Sequence, residues 1–171
     1  MKYLTIFAVL MITTTNTLKD ALVFPPIVSK KEAAITKQII KNKPNINKKL
    51  ANKLSKYIHK YATIFKADSN RAVAIAMQES GFANVINKNS NKTRDLGIFQ
   101  INTKTAKEYG FDIKRLINDQ EYSVKAYFTV MRDKVKMCNS RRQDSWICYH
   151  SKNRILGSKY KKLVNRFYVV N

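Results

Sequence analysis

The chain has 171 residues, of which 33 are Lys or Arg and 11 are Asp or Glu, so its formal net charge at pH 7 is +22. This length provides one domain with its own core and is too short for two ordinary domains, and a hydrophobic fraction of 44% is ordinary for a globular protein. The two His and two Cys are not clustered at metal-ligand spacing, so the sequence predicts neither a metal site nor a cofactor.

The positive charge is concentrated towards the two ends of the chain. Residues 30–66 contain eleven Lys and one acid, and residues 132–171 contain eleven basic and two acidic residues. Between them, residues 67–131 contain nine basic and seven acidic residues. Cationic flanks of this kind suit a polyanion, such as an anionic cell-wall polymer, an anionic membrane or nucleic acid. A solvated lysine surface without a partner is an equal alternative.

The first residues have the pattern of an export signal. Lys2 precedes an apolar run over residues 3–12, which has the length of a signal-peptide core and is too short to span a bilayer comfortably. We therefore predict a signal peptide over residues 1–17, cleaved between Thr15 and Ala21, with no stable membrane span afterwards. An uncleaved anchor and a buried N-terminal strand are the alternatives.

A basic tether is predicted over residues 18–44, followed by a single domain over residues 45–171. Pro25 and Pro26 interrupt regular structure, and residues 30–43 are predicted to form a short basic helix within the tether.

Apolar residues spaced three and four apart predict that the domain is mainly helical. Three helical stripes are Ile46, Leu50, Leu54, Tyr57, Ile58, Tyr61 and Phe65; then Val124, Tyr127, Met131, Val135 and Cys138; and finally Tyr160, Leu163, Val164 and Phe167. Shorter helices are predicted at Thr103–Tyr109 and Trp146–Tyr149, and the last long helix from about Ser158. No strand pattern stands out, although residues 84–102 leave room for one small hairpin.

The central stretch places a carboxylate where a core residue is expected. The apolar run Ala72–Ala76 predicts a helix that is capped by Asp68 or Ser69 and ended by Gly81. Glu79 falls on the same face of this helix as the run. A carboxylate in that position is costly unless it is paired, protonated or functional. Glu79 is therefore the leading candidate for a catalytic acid, and a surface charge at a frayed helix end is the alternative.

Cys138 and Cys148 are the only cysteines. If the chain is exported, a disulfide between them is predicted, which would close a loop of about ten residues and contribute up to ~3 kcal/mol to stability. In a reducing compartment they would be two core thiols. A catalytic thiol is not expected, because no His lies beside Cys138.

Three short motifs carry a family resemblance. Glu79-Ser80 is followed, after a polar loop, by the run Asp95-Leu96-Gly97-Ile98-Phe99-Gln100-Ile101-Asn102. Together they resemble the Glu-Ser and Gly-Leu-Met-Gln motifs of lytic transglycosylases with the soluble-transglycosylase (SLT, lysozyme-like) catalytic domain, with Phe99 in place of Met. The run Cys148-Tyr149-His150 matches that family's Ala-Tyr-Asn motif at Tyr149 alone. The resemblance extends from about Ile46 to Phe167.

The resemblance implies a mainly α, lysozyme-like fold of the α+β superfamily, with one catalytic domain and little or no sheet. It implies an enzyme that cleaves the β-1,4 bond between N-acetylmuramic acid and N-acetylglucosamine in peptidoglycan without water, leaving 1,6-anhydro ends. Its partners would be glycan strands, in the periplasm or the cell wall, and it is most similar to the small exported members that serve secretion, conjugation or phage entry. No cofactor is implied.

The resemblance also implies a role for each site residue. Glu79 would protonate the bridging oxygen and then remove the proton of the sugar's 6-hydroxyl, and burial would raise its pKa for this purpose. The substrate-binding candidates are Ser80 as a sugar contact, Gly97 as a point of close backbone approach, Phe99 as a flat wall, Gln100 as a hydrogen-bonding group, and Tyr149 as a residue that positions Glu79 or the substrate. Each of the five is also ordinary as a turn or core residue.

Asp95 is the residue that matters most for the choice between two mechanisms, but its presence alone does not decide between them. A carboxylate that faces Glu79 across a cleft would allow a hydrolytic, lysozyme-type reaction. An Asp before a Gly is also a common turn pair, so the favoured role of Asp95 is structural or substrate-orienting. A hydrolytic muramidase and a non-catalytic glycan-binding assembly protein are therefore the alternatives to the transglycosylase. Nucleic-acid binding rests on charge alone, since no recognition motif accompanies it.

Overall fold

The computed structural model describes residues 28–138, 145–151 and 153–169, and the predicted signal peptide lies outside these ranges. The described residues are mainly helical, with one small sheet, as the sequence predicts. The helices are α1 (Lys30–Asn42), α2 (Lys48–Phe65), α3 (Ser69–Ser80), α4 (Thr103–Glu108), α5 (Ile113–Asn118), α6 (Gln120–Met137), a 3₁₀ helix (Ser145–Tyr149) and α7 (Arg154–Asn165). The strands are β1 (Ile86–Lys88), β2 (Arg94–Leu96) and β3 (Ile101–Asn102).

The three strands form one antiparallel sheet in the order β1-β2-β3. Leu96 pairs with Ile86 on one side and with Ile101 on the other. Each strand has only two or three residues, which is too short to display an alternating pattern in the sequence. The sheet therefore lies within residues 84–102, where the sequence left room for a small hairpin, and it has one strand more than a hairpin has.

Helix α1 belongs to the folded core, whereas the sequence analysis assigned residues 18–44 to a tether. The helix itself was predicted, and Ser29 and Glu32 form a capping box at its start. Its residues Ile35 and Ile39 are buried in the main hydrophobic cluster. At its end, Lys43 Nζ donates a hydrogen bond to the carbonyl oxygen of Gly81 (2.6 Å), which lies just after α3.

The core surrounds α3, the helix that carries Glu79. Every side chain of the Ala72–Ala76 run is fully buried. Helices α1, α2 and α7 pack against this helix. Helices α2 and α6 were predicted by their apolar stripes, and Leu54, Ile58, Tyr127 and Met131 of those stripes are buried.

One helix start and one whole helix differ from the sequence prediction. Helix α7 begins at Arg154 rather than near Ser158, because the side chain of Asn153 caps its first turn. Helix α5 was not predicted; it has only six residues, and Asp112 caps it. None of the described helices combines the length and the apolar character that crossing a bilayer requires.

A disulfide joins Cys138, which follows α6, to Cys148 in the 3₁₀ helix, with 6.3 Å between the two Cα atoms. It is the pair predicted for an exported chain. The bond ties the 3₁₀ helix to the end of α6, next to the candidate site.

Candidate active site

A cleft of about 350 Å³ lies where α3 ends, beside the sheet, α6 and the 3₁₀ helix. It brings together four of the residues selected from the sequence, which are Glu79, Asp95, Gln100 and Tyr149. The other lining residues are Ile101, Asn102, Thr105, Val130, Lys134 and His150. Phe99, Gly97 and Ser80 are not among them.

Helix α3 delivers Glu79 to this cleft. The side chain of Asp68 caps the helix by accepting a hydrogen bond from the backbone N–H of Arg71, and Gly81 ends it in the left-handed conformation (φ +58°). Glu79 lies in the last turn, where the buried face of the helix meets the cleft, and it is partly buried. The sequence prediction of a carboxylate continuing an apolar face is confirmed by this placement.

The pKa of Glu79 is raised from its ordinary 4.5 to about 7, chiefly by burial and to a smaller extent by the nearby negative charge of Asp95. A hydrogen bond from the Tyr160 hydroxyl to Glu79 Oε1 (2.5 Å) acts in the opposite direction, because it stabilises the ionised form. Among the described residues no group binds Oε2. Glu79 therefore populates both its neutral and its ionised form near neutral pH, which suits a residue that first donates and then accepts a proton.

Tyr160 is a site residue that the sequence analysis placed only in the core stripe of the last helix. Its ring is buried and stacks on the His150 ring with 4.3 Å between centroids and an angle of 6°. Burial, together with the charge of Glu79, raises the pKa of Tyr160, so its hydroxyl stays protonated and can donate. The one signal in the sequence was a hydroxyl on an otherwise apolar helical face.

His150 stands where the Ala-Tyr-Asn motif has Asn. It lines the cleft and packs on the tyrosine that binds Glu79. Burial lowers the pKa of His150, so the imidazole is neutral near pH 7.

Asp95 lies on β2 at the edge of the cleft, and hydrogen bonds within the sheet region hold its carboxylate. Oδ1 accepts from Asn102 Nδ2 (2.7 Å), and Oδ2 accepts from Asn89 Nδ2 (3.0 Å). These two bonds support the structural role that the sequence analysis favoured. The carboxylate still acts on Glu79 at a distance, through the charge that raises the pKa of Glu79.

Packing explains the position of Gly97, and its role as a point of close approach for the glycan stays a prediction. Its φ is +72°, a region that side chains rarely adopt. A Cβ added there would collide with the backbone carbonyl oxygen of Leu116 and would lie 3.1 Å from Ser123 Oγ. The hydrogen atom in place of a side chain thus faces α5 and α6.

Phe99 and Ser80 have contacts inside the protein, whereas the sequence analysis gave them roles in sugar binding. Phe99 is fully buried and stacks on Tyr127 with 4.0 Å between ring centroids, so it offers no wall to a sugar ring. Ser80 Oγ donates to the carbonyl oxygen of Ile98 (2.7 Å). Together the two side chains fix the turn over residues 97–100 against α3 and α6.

Gln100 and Tyr149 reach the cleft, but their polar atoms are engaged with the protein. Gln100 Nε2 donates to the carbonyl oxygens of Gly97 (2.7 Å) and Val85 (3.2 Å), and its Oε1 accepts from Asn87 (2.6 Å). The Tyr149 hydroxyl donates to the carbonyl oxygen of Phe99 (2.7 Å). Contact of either residue with substrate stays a prediction. The hydroxyl that binds Glu79 is that of Tyr160 and not that of Tyr149.

No group of three His, Cys, Asp or Glu side chains is arranged for a metal ion within the described part of the chain.

Comparison with known families gives one match. The profile of the transglycosylase SLT domain matches residues 56–166, which is well over half of the chain. This range includes Glu79, Asp95 and Tyr160. Comparisons with curated proteins and with solved structures give no match.

Proposed function

Since the chain belongs to the transglycosylase SLT domain family, we propose that it is a lytic transglycosylase that cleaves the N-acetylmuramic acid β-1,4-N-acetylglucosamine bond of peptidoglycan and leaves 1,6-anhydro ends. The family acts on peptidoglycan, which lies outside the cytoplasm. The setting of the Glu79 carboxyl group carries the assignment to this residue. Its carboxyl group lines the cleft, its pKa is raised to about 7 by burial, and one of its oxygens is held by Tyr160.

In the first step, neutral Glu79 donates its proton to the bridging glycosidic oxygen. The bond from the muramic acid C1 to this oxygen breaks, and the departing sugar leaves with a free 4-hydroxyl. Tyr160 holds Oε1 through a hydrogen bond, so Oε2 is the oxygen that presents the proton. This bond also stabilises the carboxylate that remains.

In the second step, the Glu79 carboxylate removes the proton from the 6-hydroxyl of the same muramic acid. The freed oxygen bonds to C1, closes the 1,6-anhydro ring and regenerates neutral Glu79. One carboxyl group thus serves as acid and as base, because its pKa of about 7 makes both forms accessible. No water molecule is consumed.

A hydrolytic muramidase is the second candidate, and the observation that favours it is the presence of Asp95 in the same cleft. In that reaction Asp95 would support attack by water. The amide groups of Asn89 and Asn102 occupy both of its carboxylate oxygens, which speaks for an orienting role. We therefore rank the transglycosylase first.

The deciding experiment is mass spectrometry of purified glycan strands after digestion, with and without borohydride reduction. The transglycosylase predicts products lighter by one water than hydrolysis products and resistant to borohydride. Reducible ends would instead support the hydrolase and make Asp95 the second catalytic residue.

The Glu79→Gln variant tests the residue itself. It keeps the shape of the side chain and an acceptor for Tyr160 but has no proton to give, so glycan binding should survive while lytic activity is lost. If the wild-type protein bound strands but released no products, a non-catalytic glycan-binding assembly protein would replace both enzymatic proposals.

The family's substrate also motivates the proposed export route. We propose that residues 1–17 direct the chain out of the cytoplasm, and that the enzyme opens the wall locally for a secretion, conjugation or phage-entry apparatus. N-terminal sequencing of the mature protein tests the first of these. An N-terminus between Thr15 and Ala21 supports cleavage, whereas an intact Met1 on a membrane-bound protein supports an anchor.

A further inference from the structure

A second and larger depression, of about 560 Å³, lies on another face of α6. The catalytic cleft uses Val130 and Lys134 of that helix, whereas this groove uses Met131 and Val135. We call it the α6 groove. Its floor is apolar and largely aromatic, with contributions from Phe65, Tyr127, Phe128, Met131, Trp146 and Tyr168.

The rim of the α6 groove is cationic. Lys66, Arg71, Arg132 and Lys136 line it, against the single acid Asp68 among the described lining residues. Within the described part of the chain, Arg132 pairs with Asp133, whereas no carboxylate lies within 4 Å of the other three cations. Asp68 is engaged, since its oxygens accept hydrogen bonds from the Tyr168 hydroxyl (2.8 Å) and from the backbone of α3.

Arg71 is held in a fixed position at this rim. Its guanidinium lies 3.7 Å from the centre of the Tyr168 ring and 4.4 Å from the centre of the Trp146 ring. Nη1 donates to Asn165 Oδ1 (2.6 Å). A guanidinium that is stacked on aromatic rings loses little freedom when its edge binds a carboxylate, so it is a suitable anchor for one.

We propose that the α6 groove docks an acidic peptide segment of a partner protein. One large apolar side chain of that segment enters the aromatic floor, and neighbouring Asp or Glu carboxylates bind Arg71 and Lys136. The volume lies within the ordinary range of ligand-binding pockets, and the rim complements negative charge.

The shape and the rings of the α6 groove argue against other anions. A bilayer surface cannot enter a concavity, and its phosphates would meet only the rim. Trp146 and Tyr168 already stack on Arg71, which leaves them less available as platforms for nucleic-acid bases. The small methyl groups of a peptidoglycan stem peptide would fill the aromatic floor poorly. A protein segment with a large apolar residue satisfies both the floor and the rim.

The test is a selection of peptides from a phage-displayed random dodecapeptide library on the purified protein. Selected peptides are then synthesised, and their Kd values are measured with wild type, Lys136→Gln and Arg71→Lys. Lys125→Gln is the matched control, because Lys125 is an exposed lysine of α6 that lines neither depression. Circular dichroism checks that each variant is folded.

We expect enriched peptides that combine a large apolar residue with adjacent acids. Lys136→Gln and Arg71→Lys should each weaken their binding about tenfold, the loss of one charge-assisted contact, while Lys125→Gln leaves it unchanged. Failure to enrich acidic peptides, or equal binding to all variants, would overturn the proposal. The proposal would also be overturned if Lys136→Gln lost binding to vesicles containing phosphatidylglycerol but bound the peptides like wild type, since that result would assign the rim to a membrane.

This inference is independent of the catalytic assignment. Lys136→Gln should digest glycan strands like wild type, whereas Glu79→Gln should bind the selected peptides like wild type. The two outcomes distinguish failure of the groove proposal from failure of the proposed enzyme activity.

Discussion

Replacing Glu79 with Gln should stabilise the protein, and the gain should depend on pH. The pKa of Glu79 is raised in the folded state from 4.5 to about 7, so the folded state binds this proton more tightly than the unfolded state does. The stability that the proton contributes is fully present below about pH 4.5 and is lost as the pH rises to about 7. Gln cannot ionise, so the variant escapes this loss.

The magnitude follows from the shift. Each pKa unit corresponds to about 1.4 kcal/mol, so raising the pKa from 4.5 to about 7 costs the wild type about 3 kcal/mol by pH 8. That is a large part of the 5–15 kcal/mol by which domains are usually stable. Gln also keeps the acceptor for Tyr160, so the hydrogen bond to Oε1 adds little to the difference.

The assay is urea unfolding of both proteins at pH 4, 5.5, 7 and 8 without reductant. Glu108→Gln serves as control, because Glu108 is an exposed carboxylate on α4 and its replacement reports the general effect of removing one negative charge from this cationic chain. The free-energy difference between Glu79→Gln and wild type should be small at pH 4 and grow to about 3 kcal/mol at pH 8. A difference that is flat with pH, or that grows towards acid, would refute the argument that burial raises the pKa of Glu79.

Three further outcomes are expected. Tyr160→Phe removes the hydrogen bond that lowers the pKa of Glu79, so the fall of kcat/KM above neutral pH should move to higher pH. If activity were instead reduced equally at every pH, with no shift of the profile, the tyrosine would have a packing role only. Gly97→Ala should destabilise the protein by about 2 kcal/mol or more in thermal unfolding, because it adds a backbone collision to an unfavourable φ. Gly110→Ala should cost only about 1 kcal/mol, because its φ is +66° but no atom lies within 4 Å of the added Cβ. Similar losses in the two variants would contradict the packing explanation. Reducing the disulfide should cost up to ~3 kcal/mol of stability and lower glycan-digesting activity, because the 3₁₀ helix it secures carries the cleft residue Tyr149 and is followed directly by His150. Full activity after verified reduction would show that this helix holds its place unaided.

Local pattern determined the features that arise within one helix. The apolar run Ala72–Ala76 and the stripe of α2 follow the 3.6-residue period, and a residue on the apolar side of such a period is directed inwards whatever it packs against. For this reason the position of Glu79 could be predicted from the sequence before any tertiary contact was known. Caps such as Asp68 and Gly81 are equally local, since each satisfies backbone groups of its own helix.

Helix α1 shows where a local pattern stops being informative. Four of its 13 residues are lysines, and its two core residues, Ile35 and Ile39, make only one short apolar stripe. Gln38 is buried as well and donates to the carbonyl oxygens of Asn70 and Phe167. Both acceptors are distant in the chain, so the burial of α1 was decided by its partners and could not be derived from its own residues.

The sequence by itself thus determined a mainly helical domain with Glu79 at the end of an apolar face, because periodicity and capping act over a few residues. Tertiary structure alone decided that Tyr160 rather than Tyr149 binds Glu79, that Gly97 faces Leu116 and that Phe99 packs on Tyr127. These contacts join segments far apart in the chain, and several tyrosines and glycines were equally available for them. Only the packing of α3, α6 and α7 around one core selects which of these residues meet.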